Sequence, residues 1–540
     1  MLFFLFFFRM HSIEIAFCFT IVVAVGWNDV SFHGTDQIHT PNIDLLAYSG
    51  VALGRYYSHA ICTPSRSALL SGKYSHITGM QGYPLTMSED RGLPENVTIL
   101  PQYLKSAGYK THLVGKWHLG SSRTKYLPTN RGFDSHFGHR GGFMDYYEYT
   151  LEETFSTGKV SGFTLYDNIT VAWDVSGYIT DVYTDKAKSI IENHDTSSPL
   201  FLMLAHNAPH GGNKGALLQA PAEEVRHMRH VESPERRIFA AMVKKLDDSV
   251  GDVVKSLSDK GILDNTIIVF VADNGGMTSG VSENYGSNYP LRGIKMSPFE
   301  GGVRVAGLIW STCLNNSNKY WDGYMHVTDW MPTLLSAAGL EVPSDIDGIN
   351  QWDNINANSE SNRTVMYEID DYTGYSSITY GEYKLITGNV TKSYSTYQGG
   401  DLTGIIGEAP SYTDAITNST MYSILCSLGL DYDLNTITPT IRSHTKQHTV
   451  CLYNIIKDPC ETTDLTEEYP DLVTTMQELL NIEVAKRIPR VIPLYRDPLS
   501  APGLHNYTWA PWFLKFETIR RKTQINVKKC IMLNTYLLIT

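Results

Sequence analysis

Three groups of chemically competent side chains in this sequence stand directly after short apolar runs. Thr111-His112-Leu113-Val114 leads to Lys116 and His118, Leu200 to Ala205 leads to His206 and His210, and Thr266 to Ala272 leads to Asp273 and Asn274. Each run is largely apolar and reads as a buried strand of a parallel sheet. Ligands of open α/β sheets bind outside the carboxyl ends of strands, so a cation, proton carriers and hard oxygens can converge on one crevice. A fourth group is Cys62-Thr63-Pro64-Ser65-Arg66. Pro64 suits the first helical position, Arg66-Ser67-Ala68-Leu69-Leu70 continues the helix, and Gly72 ends it. Cys62 then lies at a helix N-terminus, where exposed N–H groups and the macrodipole favour an anion, with Arg66 one turn further on. Lys295 falls in a loop, among the Gly-Gly pairs and turns of residues 275 to 302. The plainer alternatives are a disulfide or buried thiol for an isolated cysteine, a solvated charge for Arg66, and a structural role for a lone histidine after a strand. His206 keeps that structural reading.

Helices must separate these strands. Ser233 can cap and Pro234 can start one whose apolar positions Ile238, Met242, Leu246, Val250, Val253 and Leu257 follow mainly three- and four-residue spacing until Gly261. Strand and helix therefore alternate, which predicts an α/β sheet covered on both faces. With 540 residues, a large domain plus a smaller one is the natural division. Near residues 345 to 365 the sequence turns rich in Asp, Asn and Ser, then shifts to short alternating strands such as Ser377-Ile378-Thr379-Tyr380 and Tyr383-Lys384-Leu385-Ile386. The expected organisation is an irregular N-terminus over 1-25, a catalytic domain over 26-355, a smaller domain over 356-512 and a basic tail over 513-540. The region 391 to 450 is Thr/Ser/Tyr-rich and weakly patterned.

The motifs resemble those of the sulfatase family. Cys62-Thr63-Pro64-Ser65-Arg66 matches the core recognised for conversion of cysteine to formylglycine, and Gly108 to Gly120 resembles the second signature over its whole length. Trp27-Asn28-Asp29, Asp273-Asn274-Gly275-Gly276 and Leu291-Arg292-Gly293-Ile294-Lys295 extend the likeness from about residue 26 to about 510, closest to the arylsulfatase B branch. The resemblance implies an alkaline-phosphatase-like sandwich: a large, mostly parallel sheet covered by helices, and a smaller C-terminal α+β domain with an antiparallel sheet. It implies hydrolysis of sulfate monoesters of sugars or aryl alcohols. The hydrated aldehyde made from Cys62 would attack sulfur with one hydroxyl and expel sulfate with the other. By the same resemblance Arg66 supports that residue, Lys116 contacts sulfate, His118 contacts the hydrate, and His210 and Lys295 face the leaving oxygen and sulfate. One Ca²⁺ would be held by residue 62, Asp273, Asn274 and an adjacent pair of aspartates at the end of the first strand. In this chain the positions of that pair hold Val23 and Ala24, and no other Asp-Asp precedes residue 62.

Loss of two carboxylates weakens a calcium site by orders of magnitude. Two explanations stay open: residues 1 to 25 come from an incorrect or alternative first exon, or the chain is a catalytically impaired, sulfatase-like binding protein. A phosphoester hydrolase of the same superfold would show a Ser or Thr nucleophile and more His/Asp ligands. The remaining composition narrows the partners. A net charge of -12 argues against nucleic acid, and 42% hydrophobic with 19% charged residues describes a folded globular protein. Leu2 to Phe8 and Ile15 to Val25 both fall short of about 18 uninterrupted apolar residues, so no stable membrane span is expected, and a signal peptide is irregular. Sequons at Asn96, Asn168, Asn315, Asn362, Asn389, Asn418 and Asn506 favour the secretory route, hence a lysosomal or secreted glycoprotein. The implied partners are a sulfated carbohydrate or aryl sulfate substrate and, during maturation, the formylglycine-generating enzyme. Setting aside Cys62, and Cys18 as part of a cleaved leader, leaves an odd set of cysteines in which Cys451 with Cys460, or either with Cys426, could bridge.

Overall fold

The computed structural model describes residues 15–280, 283–315, 319–396, 400–430, 432, 450–490 and 496–513. In chain order the strands of its larger part are β1 (Ala16–Val22), β2 (Val51–Tyr57), β3 (Lys110–Gly115), β4 (Ser135–His139), β5 (Thr150–Phe155), β6 (Gly158–Phe163), β7 (Leu165–Asp167), β8 (Thr170–Val171), β9 (Leu200–Ala205), β10 (Thr266–Ala272), β11 (Gly307–Trp310) and β12 (Lys319–His326). Ten of them form one sheet in the order β12-β2-β11-β10-β1-β9-β3-β4-β7-β8, while β5 and β6 pair as a separate hairpin.

The middle of the large sheet explains where the chemistry lies. β10, β1, β9, β3 and β4 run parallel. β1, β9 and β10 are buried at every position, because their sequences AFCFTIV, LFLMLA and TIIVFVA offer apolar or small groups to both faces. Register sets Val22 beside Ala272, Ile21 beside Ala205, and Gly115 beside Ala205. The carboxyl ends are thus nearly level, and the next residues along, Val23, Lys116, His206 and Asp273, emerge at one edge.

β1 falls within the stretch expected to be an irregular N-terminus. It is the fifth of the ten strands of the large sheet, so the stretch from Ala16 is regular, and Cys18 is buried within it. The reason the sequence misled is physical: an apolar run long enough to be a buried strand has the same composition as a leader's apolar block.

The helix Pro234–Asp259 forms as its periodicity predicts, and the Ser233 side chain accepts a hydrogen bond from Arg236 N at 3.3 Å. It packs beside the helix Ile179–Glu192 on one face of the sheet. The helix Cys62–Ser71 is buried along its whole length and ends where Gly72 turns left-handed at φ +65°, a conformation that costs glycine little. It begins at Cys62, two residues earlier than the placement of Pro64 at the first position implied; Pro64 is its third residue, where its missing N–H still costs no intrahelical bond.

The smaller sheet is antiparallel, in the order β13 (Val365–Asp370), β14 (Tyr375–Tyr380), β15 (Tyr383–Gly388) and β16 (Val450–Asn454). The helix Pro470–Ala485 covers it through Met476 and Leu480. Two helices, Tyr412–Thr417 and Thr420–Leu428, occupy part of the weakly patterned region and return to the large unit. There Tyr412 Oη donates to Asp44 at 2.6 Å and Met421 N donates to Asn42 Oδ1 at 2.9 Å. Buried polar contacts fasten the small sheet and its covering helix: His59 Nδ1 donates to Glu368 at 2.5 Å, His76 Nε2 to Glu483 at 2.9 Å, and Lys384 pairs with Glu300 and Glu461. No helix among the described residues is long and apolar enough to cross a membrane. Cys426 is an exposed free thiol, so neither of the expected bridges through it is formed. Residues 1 to 14 and the basic tail beyond Phe513 lie outside the described residues.

Candidate active site

Lys116, His118, His210, Lys295, Arg66, Asp273 and Asn274 are all buried around Cys62 at the carboxyl edge of the parallel strands. The backbone fixes two of these positions, and that of His206, by continuing the sheet's ladder past the strand ends. Lys116 N donates to Ala205 O at 2.7 Å, His206 N to Ile21 O at 3.0 Å, and Asp273 N to Val22 O at 3.0 Å. His206 stays structural: its Nε2 meets Ser249 Oγ at 3.0 Å, away from the other groups.

His118 is held in a left-handed conformation, φ +61°, uncommon for a residue with a side chain and typical of functional turns. Its Nε2–H donates to Leu85 O at 2.9 Å, which leaves Nδ1 as the basic nitrogen. Thr63 completes the anchor, since its hydroxyl donates to His118 O at 3.1 Å and accepts from Leu85 N at 3.1 Å. The first turn of the Cys62 helix is thereby tied to the histidine.

His210 Nδ1–H donates to Gly211 O at 2.7 Å, and its Nε2 accepts from Lys295 Nζ at 3.0 Å. This is the neutral imidazole with a charged lysine on its lone pair. Phe143 stacks on the ring, centroids 5.8 Å apart and planes 4° apart. Arg66, expected to support residue 62, donates from Nε to Asp273 Oδ2 at 3.0 Å and from Nη1 to Lys116 O at 2.9 Å.

Burial alone would push the Cys62 thiol up, but Lys116 and Lys295, with the adjoining His118 and His210 rings adding to their effect, hold it well below the usual thiol range. The same surroundings favour any anion at that point. Burial brings Lys116 down to about 8, against the opposing pull of the Cys62 thiolate. Burial also lowers His118 and His210 to about 4, helped by Lys116 and Lys295 respectively, so both rings are neutral near pH 7. Asp273 is raised by burial and by Cys62, and Arg66 opposes the rise.

The residues present do not fit the calcium ion that the motifs imply. Asn274 Oδ1 is buried without a hydrogen-bond partner and is the right kind of oxygen. Asp273, however, already accepts from Arg66 and, at 3.4 Å, from Ala24 N. Val23 and Ala24 pack as apolar groups with Ile61 and Cys62. Calcium takes about six to eight oxygens, largely anionic. Among the described residues no group of three or more His, Cys, Asp or Glu side chains is arranged to hold a metal. Of the expected metal set of Cys62, Asp273 and Asn274, the described residues offer one carboxylate already bonded to Arg66 and one amide oxygen beside the Cys62 thiol.

Sequence reasoning missed Leu85, Thr63 and Phe143, which position the histidines. Gly142 is the nearest to a local signal. A Cβ there would stand 2.8 Å from His118 Cε1, so the Gly141-Gly142 pair marks a close approach.

A family model described as Sulfatase matches residues 22–340. Arylsulfatase J of Mus musculus is 36% identical over 522 residues, covering 92% of this chain and 80% of that protein. The chain belongs to the sulfatase family. N-acetylgalactosamine-6-sulfatase of Homo sapiens is 28% identical over 393 residues, covering 70% of this chain and 72% of its own length. Among solved structures, Ps i-CgsB in complex with k-i-k-neocarrahexaose superimposes with a TM-score of 0.69 at 26% identity, covering 88% of this chain and 93% of that one. The PsFucS1 sulfatase from Pseudoalteromonas sp. shares the fold at a TM-score of 0.63 and 23% identity. Sulfatases hydrolyse sulfate esters, and the alkaline-phosphatase-like expectation holds: a ten-stranded mixed sheet with helices beside a four-stranded antiparallel one.

Proposed function

We propose that this chain hydrolyses sulfate monoesters of sugars or aryl alcohols, with residue 62 converted from cysteine to formylglycine during passage through the secretory route. The observation that carries this reading is the meeting of Cys62, Lys116, His118, His210 and Lys295 in one buried cluster at the strand ends. When present, the aldehyde hydrate supplies an oxygen nucleophile and a second hydroxyl for release of sulfate. Lys116 and Lys295 neutralise charge on the sulfuryl oxygens, where a dry site makes each cation count most. Lys295 Nζ and His210 Nε2 share one proton along their 3.0 Å contact, so the pair can deliver it to the leaving oxygen while the ring stays oriented by Gly211 O. His118 Nδ1, fixed by the bond from Nε2 to Leu85 O, can take a proton from a hydroxyl on residue 62.

The similar proteins support sulfated carbohydrates as substrates, since one is an N-acetylgalactosamine-6-sulfatase and one solved structure is a complex with a neocarrahexaose. The narrower arylsulfatase B-like assignment rests on the motifs alone. A lysosomal or secreted location, maturation by the formylglycine-generating enzyme and glycosylation belong to the same reading. The test is the tryptic peptide Tyr56–Arg66 from protein co-expressed with the maturation enzyme. Conversion removes about 18 Da and should accompany turnover of an aryl sulfate. A peptide found wholly as thiol, with activity nonetheless, would remove formylglycine from the mechanism.

A further inference from the structure

The calcium misfit has a counterpart in the cations of the cleft. Among the described residues, three cationic side chains, Arg66, Lys116 and Lys295, stand around residue 62 against the carboxylate of Asp273, which Arg66 already pairs with. A dication placed here would have to break the Arg66–Asp273 bond and face Lys116 and Lys295 with no other carboxylate to offset them. It would also meet the apolar wall of Val23, Ala24 and Ile61. An anion meets the opposite situation. Lys116 Nζ and Arg66 Nη2 are both buried and lack any hydrogen-bond partner in the protein, which leaves two charged donors unused in a closed site. Arg66 lies on the ten-residue helix that Cys62 opens, and Lys116 acts on Cys62 at its N-terminus, where the helix dipole has the same preference. Asn274 Oδ1, an unpartnered acceptor like His118 Nδ1, suits a hydroxyl, which hydrated residue 62 would carry.

We infer that the charge a divalent cation would bring to the substrate is supplied in this chain by the Arg66 guanidinium together with Lys116 and Lys295, so that the cleft binds the sulfate group without a metal. This rests on the reading of the cleft as the sulfate site but not on turnover. Its readout is binding of inorganic sulfate to the purified full chain, followed as a thermal shift and by calorimetry, with a chelator or with added calcium. The expected result is the same sulfate-induced stabilisation in both conditions and no shift with calcium alone. Calcium stabilising the unaltered chain, or sulfate binding abolished by the chelator, overturns the inference. Arg66→Lys keeps a charge but removes the unused Nη2 donor, and should weaken sulfate at least tenfold; undiminished affinity in this variant also overturns it. Val23→Asp combined with Ala24→Asp should make the protein respond to calcium, and a folded double variant that ignores calcium would show that these side chains are not what excludes the ion. The two readings fail separately. Metal-free sulfate binding without formylglycine removes the proposed hydrolysis and leaves this inference standing, whereas calcium-dependent turnover does the reverse.

Discussion

Lys116 carries the largest demand of any residue here, because it must remain an ammonium ion while buried. Its side chain is fully enclosed and held down to about 8 by that burial, with the thiolate of Cys62 as the main opposing influence. The proposed conversion of Cys62 to an uncharged aldehyde hydrate would remove that support, so the lysine of a converted protein should titrate no higher than in the thiol form, at about 8. Only the protonated form can pair with a sulfuryl oxygen. Activity should therefore fall as pH rises through this value, and a plot of log kcat/KM against pH should show the alkaline limb there. Lys116→Arg, which stays charged throughout, should retain a residual rate without the limb. On the acid side His118 and His210 must be neutral to accept a proton or the Lys295 hydrogen bond, so loss begins as pH falls toward about 4. Lys116→Ala, His118→Ala and Lys295→Ala should each lower turnover by roughly 10² or more, with circular dichroism unchanged. A near-normal rate in any of the three would remove that residue from the mechanism.

At the scale of elements, precision at the site depends on how strand ends are allowed to approach one another. Gly115 closes β3 with φ +105°, and a Cβ there would lie 1.9 Å from Ala205 O on β9. Gly115→Ala should cost about 2 kcal/mol or more and displace Lys116 and His118 together, read as a lowered Tm with a larger loss of kcat than of folded protein. An unchanged Tm would mean that the strand ends can separate freely. The strands and the helix Pro234–Asp259 could be read directly from the sequence, because continuous apolar runs and a long amphipathic repeat each have one favourable burial. The helices Tyr412–Thr417 and Thr420–Leu428 could not. They are too short to be stable alone and exist because Ile416, Met421 and Leu425 bury against the large unit. The site divides the same way. Residues directly after strands, Lys116, His118, His210, Asp273 and Asn274, were identifiable by position. Leu85 and Phe143 carry no local signature, and the engagement of Arg66 with Asp273 follows only from the three-dimensional meeting of two segments 207 residues apart.

Across the whole molecule, the surface bears on how the chain is made. Six of the sequon asparagines, Asn96, Asn315, Asn362, Asn389, Asn418 and Asn506, are exposed, as transfer of a glycan requires. Asn168 differs. It sits half-buried in the tight connection between β7 and β8 at φ +56°, and its side-chain amide is engaged at both ends. Its Oδ1 accepts from His136 N at 2.9 Å and its Nδ2 donates to Asp167 Oδ1 at 3.0 Å. Its carbonyl accepts from Arg140 Nη2 at 3.0 Å, which draws the turn inward. A glycosylated Asn168 would have to give up the Nδ2 bond and project a bulky sugar from a turn packed against β4. Chain expressed through a secretory pathway should therefore carry glycans at exposed sequons and none at Asn168, as read by glycopeptide mass spectrometry before and after enzymatic deglycosylation. Asn168→Gln should leave the glycan mass unchanged and lower Tm, because the longer side chain cannot hold the His136 and Asp167 contacts in the same turn. A glycan found on Asn168 of folded protein would show that the β7–β8 connection opens in the native state.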